Sequence, residues 1–187
     1  ERFLLEMATM EERLDTLDLL LEAGEDLDEA TGLAQETWIS AMEVWQELDL
    51  MQIGPAGSSL SVIQGQDLRD EIYSWPTTNA CRVDQETVLE AWEDADFVAS
   101  NLVNAYGMDA LEHLLFASFD CACPSAVDPV VNGSWDALGE SGILRNRVSF
   151  ARALSQEVTR QAEVLWETWS PEGGDYPSLL LVETDDS

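Results

Sequence analysis

Apolar residues recur at steps of three or four in three long stretches, and this spacing constrains the fold more than any other feature. It places the apolar side chains on one face of a helix, where only packing against another element can shield them from water. The three apolar faces are Phe3, Met7, Met10, Leu14, Leu17 and Leu21; then Ala30, Ala34, Trp38, Ala41, Trp45 and Leu48; and finally Leu144, Val148, Ala151, Leu154, Val158, Ala162, Leu165 and Trp169. The pattern predicts an all-α chain whose long helices pack as an antiparallel bundle.

Helix-stopping and helix-capping residues set the expected ends of these long helices. Gly24 is a natural end for the first helix, because glycine readily adopts the left-handed conformation that follows a last helical turn. Asp26 or Asp28 can cap the second helix. Pro171 and the following Gly173-Gly174 pair end the third.

Shorter helices and long irregular connections are expected between the second and third long helices. One short helix should run from Asp67 to Trp75 and stop at Pro76. Another should run from Gln85 to about Asp94, with Asp84 as its N-terminal cap.

The chain has neither an internal repeat nor an interior linker. The weak apolar spacing before Tyr106 predicts irregular backbone, as does the Cys-, Pro- and Asp-containing stretch from Phe116 to about Gly133. The sequence therefore predicts a single helical-bundle domain over residues 1–187, with long irregular middle connections and an irregular tail at 171–187.

Charge excludes two classes of partner. The chain has 38 acidic residues against eight basic ones, all arginine, and its formal net charge is −30. Such a surface repels nucleic acid and anionic lipid, and it acts either as a solubilising surface or as a dedicated acidic binding face. The apolar runs are too short for a transmembrane segment. Because the chain opens on Glu1, we expect a mature or truncated product, in which a missing signal peptide says nothing about export.

Three cysteines make an odd number, so at most one disulfide can form within the chain. Cys121 and Cys123 are separated by one residue, which suits neither a CxxC redox pair nor a common zinc site. We expect Cys81 to bridge to one of these two, with Cys123 favoured, which leaves one thiol over. A cytosolic protein with three buried thiols is the alternative.

The stretch from Tyr106 to Phe116 is the best candidate for a site. If it is helical, Asp109 and Glu112 share a face because they lie three residues apart, and the only histidine, His113, follows directly. Two carboxylates at this spacing can bind a cation, shift each other's pKa, or be solvated. None of the common nucleotide-binding, serine-hydrolase or HExxH metalloprotease motifs is present in the sequence.

Three segments of the chain carry a resemblance to a known family. They are Trp45-Gln46-Glu47 through Met51-Gln52-Ile53-Gly54-Pro55, then Asp67-Leu68-Arg69-Asp70-Glu71-Ile72-Tyr73-Ser74-Trp75-Pro76 with Cys81-Arg82-Val83-Asp84-Gln85, and finally Tyr106 to Phe116. They resemble the imelysin-like family of bacterial exported proteins, and the resemblance covers roughly Leu33 to Trp169. The last stretch aligns with the family's Gly-x-His-x-x-Glu segment. The resemblance implies the first half of a fold of two helical bundles, in a family associated with iron uptake and with a metallopeptidase activity not general to it.

The chain departs from the family motif at one position. Gly107 and Glu112 are in place, but Asp109 stands where the family has histidine. His113 cannot substitute, because one step along a helix rotates the side chain by about 100°. An Asp/Glu pair is a harder ligand set than His/Glu and suits calcium, magnesium, manganese or ferric iron. Since a hydrolytic zinc site needs three protein ligands and an open position, the change argues against peptidase activity.

These observations predict an exported, imelysin-like protein that binds a metal ion in an iron-uptake-type role. Asp109 and Glu112 are the expected ligands; the ion is iron, calcium or zinc, with a hard cation favoured. Arg69, Asp84 and His113 are expected to support them, with Arg69 pairing either with Glu112 or Asp84 or in a purely structural salt bridge. The alternative is a structural or interaction module of an extracellular assembly that has lost the site. Its expected partners are another protein, a missing C-terminal half, or a second copy.

Overall fold

The computed structural model describes residues 1–50 and 52–170, together with 174, 176 and 178. Within these residues the fold is all-α, as predicted from the apolar spacing, and it contains no strand. The helices are α1 (Arg2–Ala23), α2 (Asp28–Leu48), α3 (Leu68–Ile72), α4 (Ala80–Leu89), α5 (Phe97–Ser100), α6 (Met108–Phe116) and α7 (Ser134–Trp169), with short 3₁₀ turns at Gly54–Ala56 and Ala91–Glu93. Most of the tail at 171–187 lies outside the described residues.

The first helix follows its apolar pattern closely. Its buried residues are Phe3, Met7, Met10, Leu14 and Leu17. The helix ends at Gly24, whose φ of 70° is left-handed and whose N–H donates to the carbonyls at the end of the helix. The short connection from Gly24 to Leu27 makes α2 an antiparallel neighbour of α1. Accordingly, Phe3 at the start of α1 packs against Trp45 near the end of α2, with ring centroids 5.1 Å apart.

The long helix α7 completes the bundle and runs antiparallel to α1. Arg152 pairs with Asp15 and Asp18, and Thr159, about two turns further along α7, donates to Glu11, which lies nearer the start of α1. The helix begins ten residues before its first apolar-face residue at Leu144. Its path bends at Gly139, which has φ 64° and ψ 170° inside the helical span.

The boundary predicted for α4 is wrong. The helix begins at Ala80, and Asn79 is its cap, because the Asn79 side chain accepts the Arg82 N–H at 3.1 Å. Asp84 is therefore an interior residue of α4 and is fully buried. Tertiary contacts of the Asp84 carboxylate, described below, explain why an acidic residue lies in the middle of a helix facing the core. The helix α3 is also shorter than predicted, ending at Ile72, because the backbone of Tyr73 is extended.

The helix α6 lies in the middle of the fold and carries the candidate stretch. It packs against α2, α4 and α7, and Ala110 and Leu111 are fully buried. The indole Nε1 of Trp38 on α2 donates to the carbonyl of Met108 at 3.0 Å and fixes the first turn of α6. Asp109 and Glu112 are consequently held on a helix whose position is set by the bundle. The irregular connection predicted from Phe116 to Gly133 is confirmed.

Candidate functional site

A glycine allows the first turn of α6 to approach the end of α3. Gly107 has φ 86°, and a Cβ at this position would lie 3.0 Å from the carbonyl oxygen of Ile72. Any other residue would be strained and crowded there. The close approach puts Asp109, in the first turn of α6, beside the polar turn that follows α3.

Asp109 is a buried carboxylate with incomplete hydrogen bonding. Only 8% of the residue is exposed, and its Oδ2 has no hydrogen-bond partner among the described residues. The hydroxyls of Thr78 and Ser74 lie 2.9 Å from each other, and both are close enough to this carboxylate to lower its pKa. A buried charged oxygen without a partner is costly unless a positive charge or a proton compensates it.

Glu112 lies one helical turn further on α6 and is exposed. Desolvation raises the pKa of Asp109, Glu112 raises it further, and the two hydroxyls and Arg69 oppose this. Desolvation also raises the pKa of Glu112, while the neighbouring His113 lowers it. The charge of Glu112 therefore acts on Asp109, and each of the two carboxyl groups holds its proton to a higher pH than an isolated carboxyl group.

Arg69 and Tyr73 border this pair. Arg69 bonds Asp49 Oδ1 at 3.0 Å and Asp70 Oδ1 at 2.7 Å, so its partners are these two residues rather than Glu112 or Asp84. The Asp49 bond ties α3 to the end of α2. The guanidinium carbon lies 5.9 Å from the centre of the Tyr73 ring. Burial, followed by the charges of Asp109 and other nearby carboxylates, raises the pKa of Tyr73.

Asp84 and His113 form a second cluster with Arg147 of α7. His113 Nε2 lies 2.8 Å from Asp84 Oδ1, and Asp84 Oδ2 accepts the Ala122 N–H at 2.7 Å. Arg147 is 3% exposed, and its Nη2 lies 3.6 Å from Asp84 Oδ1. Two of the three expected supporting residues, Asp84 and His113, thus bond each other, and Asp84 joins α4 to α6, α7 and the loop after α6.

A disulfide joins Cys81 and Cys123 beside this second cluster. The sulfur–sulfur distance is 2.01 Å and the Cα atoms are 4.4 Å apart. Cys121 is an unpaired, half-buried thiol. The bond ties the first turn of α4 to the loop after α6 and agrees with the pairing favoured from the sequence.

Two hydroxyl residues near Asp109 are not predicted from the sequence. Ser74 and Thr78 precede Asp109 by 35 and 31 residues, and neither belongs to a recognisable ligand motif. The polar residues that follow α3 are the only feature of the sequence that could have indicated them, but such residues are equally typical of a turn exposed to solvent. Only the close approach allowed by Gly107 places these hydroxyls on the carboxylate.

The donor set at Asp109 consists of oxygen atoms. In the described part of the chain, no group of three or more His, Cys, Asp or Glu side chains is placed to hold a metal ion. Zinc sites in proteins take nitrogen, sulfur and carboxylate ligands from three or four side chains, so the residues here do not fit a hydrolytic zinc centre. Hard cations accept carboxylates, carbonyls and water together. Two carboxylates, one of which has a buried oxygen without a hydrogen-bond partner among the described residues, are compatible with such an ion.

Comparison with protein families decides the membership of the chain. The sequence model of the peptidase M75 family, described as imelysin, matches residues 15–186. The chain belongs to the imelysin family. Comparison of this imelysin chain with curated proteins and with solved structures gives no match. Across the described residues, none of its helices is both long and apolar enough to cross a lipid bilayer.

Family membership gives the altered motif a structural setting. In this imelysin chain, Gly107 and Asp109 lie at the start of α6 and Glu112 one turn later. The position at which the resemblance places histidine is therefore the buried one of the pair, and it holds a carboxylate with one oxygen that lacks a partner among the residues described. The glutamate position is exposed. Both positions are on one face of α6. A single ion that binds both carboxylates would therefore approach from the solvent side, where Glu112 is exposed.

Proposed function

We propose that this protein is an exported imelysin that binds a hard cation through Asp109 and Glu112, in an iron-uptake-type role, without hydrolysing peptides. The observation that carries the proposal is the Oδ2 atom of Asp109, which is buried and has no hydrogen-bond partner among the described residues. A cation between Asp109 and Glu112 would compensate this charge. Calcium and ferric iron are the first candidates because oxygen donors prefer hard ions.

Peptide hydrolysis is disfavoured by the number and kind of ligands. A hydrolytic zinc ion needs three protein ligands and one position for the attacking water. Asp109 and Glu112 provide two carboxylates, and His113 is engaged with Asp84 at 2.8 Å. In our proposal the ion is cargo, held by carboxylates, and no reaction step passes through it.

Export is supported by the disulfide. Disulfides persist in the periplasm and outside cells, whereas cytosolic thiols are kept reduced. The Cys81–Cys123 bond links α4 to the loop after α6; Cys123 is 8% exposed and Cys81 is half-buried. Fractionation of the cells that make the protein tests this directly: we expect it in the periplasmic or extracellular fraction with this bond intact. Recovery in the cytosol with three reduced thiols would contradict export.

A second candidate function is a structural or interaction module of an extracellular assembly. The observation that favours it is the lack, in the described part of the chain, of any group of three acidic, histidine or cysteine side chains that could hold an ion. In that case Asp109 is a residue of the core and its pair with Glu112 binds nothing.

Calorimetric titration distinguishes these two functions. Ferric iron supplied as a soluble chelate, calcium and zinc should be titrated into the full chain and into Asp109→Asn and Glu112→Gln. We expect one hard cation to bind with a dissociation constant tighter than about 1 µM, and both substitutions to abolish this binding. Glu43→Gln, which alters an exposed carboxylate of α2, is the control and should bind as the parent does. If no ion binds the parent, or if both substitutions leave binding unchanged, the interaction module is the better description.

Peptidase activity needs its own experiment. A denatured protein substrate should be incubated with the chain, with and without a chelator. We expect no chelator-sensitive cleavage, and cleavage that disappears on chelation would overturn the assignment of a binding role.

A further inference from the structure

An apolar groove lies at the end of the bundle where α1 begins and where α2 and α7 end. Its volume is about 270 Å³, and its walls are mainly aromatic and aliphatic side chains of these three helices. The walls include Phe3 and Leu4 of α1, Trp45 and Leu48 of α2, and Leu165 and Trp166 of α7. Leu48 and Trp166 are exposed, so the groove presents apolar surface to water. Contiguous apolar surface that a protein leaves exposed commonly marks a binding site.

The chain after α7 turns back towards this groove. The N–H of Gly174 donates to the carbonyl of Ser170 at 2.8 Å. Two residues later the ring of Tyr176 lies edge-on to the ring of Trp169, with centroids 4.7 Å apart, and Trp169 also lines the groove. Tyr176 is buried, and its ring lies against Gly54, where a Cβ would overlap it. Tyr176 therefore holds the chain at the edge of the groove.

An uncharged apolar run, Leu179-Leu180-Leu181-Val182, begins three residues after Tyr176 and lies outside the described residues. An extended chain advances by about 3.3 Å per residue, so Leu181 can lie as far as about 17 Å from Tyr176. Trp166 precedes Trp169 by about 4.5 Å along the axis of α7, which is well within this reach. We propose that the run at 179–182 docks into the groove of its own chain and covers Leu48 and Trp166.

Size and charge favour this occupant over a small molecule or a second copy. Small-molecule pockets usually have volumes of about 300–1,000 Å³, and the groove is smaller than this range. A second copy would bring a further formal charge of −30 against the first, and the two chains would repel each other. The tethered run needs no encounter between molecules, because a short linker gives it an effective concentration on the order of 1 mM.

The docking depends on apolar contact rather than on charge. Arg69 also lines the groove, but its guanidinium already bonds Asp49 and Asp70. The acidic residues begin at Glu183, directly after the apolar run, and they remain in solvent when the run is docked.

Disulfide trapping in the full chain tests the docking. Leu48→Cys and Leu181→Cys are introduced together with Cys121→Ser, so that the unpaired native thiol cannot compete. The matched control combines Gln46→Cys with the same two changes. Gln46 is exposed near the same end of α2, but two steps along a helix turn its side chain away by about 200°. Under mild oxidation, we expect the Leu48→Cys pair to close within one chain about tenfold faster than the Gln46→Cys pair, because docking raises the local concentration of Leu181→Cys.

Tryptic peptides identify the product of each pair, because Arg69 and Arg160 lie between the paired positions. A Leu48→Cys pair that closes no faster than the Gln46→Cys pair would overturn the proposal, since an undocked segment would meet both positions. A Leu48→Cys product that links two chains would also overturn it and would assign the groove to a second copy.

Tryptophan fluorescence provides a second measurement without new cysteines. Replacing Leu179, Leu180 and Leu181 together by serine should uncover Trp166 and raise the acrylamide quenching constant. The rise should be smaller when the same replacements are made in Trp166→Phe. Leu60→Ser, which alters an exposed apolar residue outside the groove, is the control and should be quenched as the parent is. An unchanged quenching constant in the triple variant would show that the run does not cover the groove.

Discussion

The buried carboxylate of Asp109 lowers the stability of the cation-free protein, and the same carboxylate is the proposed ligand for a cation. Its carboxylate is buried near the hydroxyls of Thr78 and Ser74, and one of its oxygens has no hydrogen-bond partner in the described part of the chain. In the cation-free protein this charge is a cost, since a buried charge without compensation is unfavourable. Retaining an acid here makes sense if a positive ligand completes the site.

The substitution Asp109→Asn should therefore stabilise the cation-free protein at neutral pH. It removes the buried charge and keeps an acceptor for the two hydroxyls, and we expect the free energy of unfolding to rise by about 1 kcal/mol. The pKa of Asp109 is raised above its ordinary value of 3.8, mainly by burial. The folded state thus binds this proton more tightly than the unfolded state. The stability contributed by Asp109 is fully present below about pH 3.8 and is lost as the pH rises through the raised pKa.

Urea unfolding of parent and variant across this pH range checks the prediction. The advantage of Asp109→Asn should grow as the pH rises through the window and vanish at its acidic end. Glu43→Gln is the matched control, because Glu43 is an exposed carboxylate of α2 and its replacement should change stability little. An Asp109→Asn variant that is less stable than the parent at neutral pH would mean that the carboxylate is fully compensated in the fold.

At the scale of single residues, the sequence predicts the pair but not its surroundings. Asp109 and Glu112 are three apart, and helical geometry alone places them together. Thr78 and Ser74 come from a turn more than 30 residues earlier, so no local rule links them to Asp109. Arg69 likewise bonds Asp49 and Asp70, partners that depend on how α3 meets the end of α2.

At the scale of elements, α1 and α4 mark the limits of prediction. The bounds of α1 follow from one apolar face and from Gly24, both of which are local. The start of α4 predicted from the sequence is wrong because an aspartate is a common cap residue, and Asp84 is an obvious candidate. In the structure Asn79 is the cap, and Asp84 is buried among α4, α6 and α7. Capping preferences assume that an acidic side chain accepts backbone N–H groups from the first turn of its own helix. The Asp84 carboxylate instead contacts His113, Arg147 and the Ala122 N–H of the loop after α6.

The disulfide is the covalent link between α4 and the loop after α6, and its loss should be costly. Cys81 and Cys123 are separated by 42 positions, and closing a loop of this length restricts the unfolded chain by about 4 kcal/mol in the chain-entropy account. Replacing both cysteines by serine should lower the free energy of unfolding by up to about that amount. Both are replaced together so that Cys121 has no partner.

Denaturant unfolding without reductant measures this effect, with Cys121→Ser as the matched control. Cys121 is unpaired, and its change to serine should alter stability by less than about 0.5 kcal/mol. If Cys121→Ser lowers the free energy of unfolding as much as the double replacement of Cys81 and Cys123 does, then the contacts of Cys121, rather than the covalent link, hold the loop on α4.

At the scale of the whole molecule, the dominant quantity is charge. A net charge of −30 on 187 residues is self-repelling, and repulsion of this kind destabilises a compact state relative to an expanded one. The eight arginines oppose it locally, as where Arg152 bridges Asp15 and Asp18 between α1 and α7. These pairs are too few to neutralise 38 acidic residues, so the medium must screen the remainder.

Salt should therefore raise the thermal midpoint of unfolding. Between about 0.01 and 1 M ionic strength the screening length falls from roughly 30 to 3 Å, which removes most repulsion between surface carboxylates. At this chain length each 1 kcal/mol of added stability raises the midpoint by about 2–4 °C, and sodium and potassium chloride should act alike because screening depends on ionic strength. If an ion binds at Asp109, calcium chloride at matched ionic strength should raise the thermal midpoint more than sodium chloride does. The variant Asp109→Asn should lose this calcium-specific increase and keep the increase caused by screening. A midpoint that stays constant or falls with sodium chloride would mean that repulsion among the carboxylates does not limit the stability of this bundle.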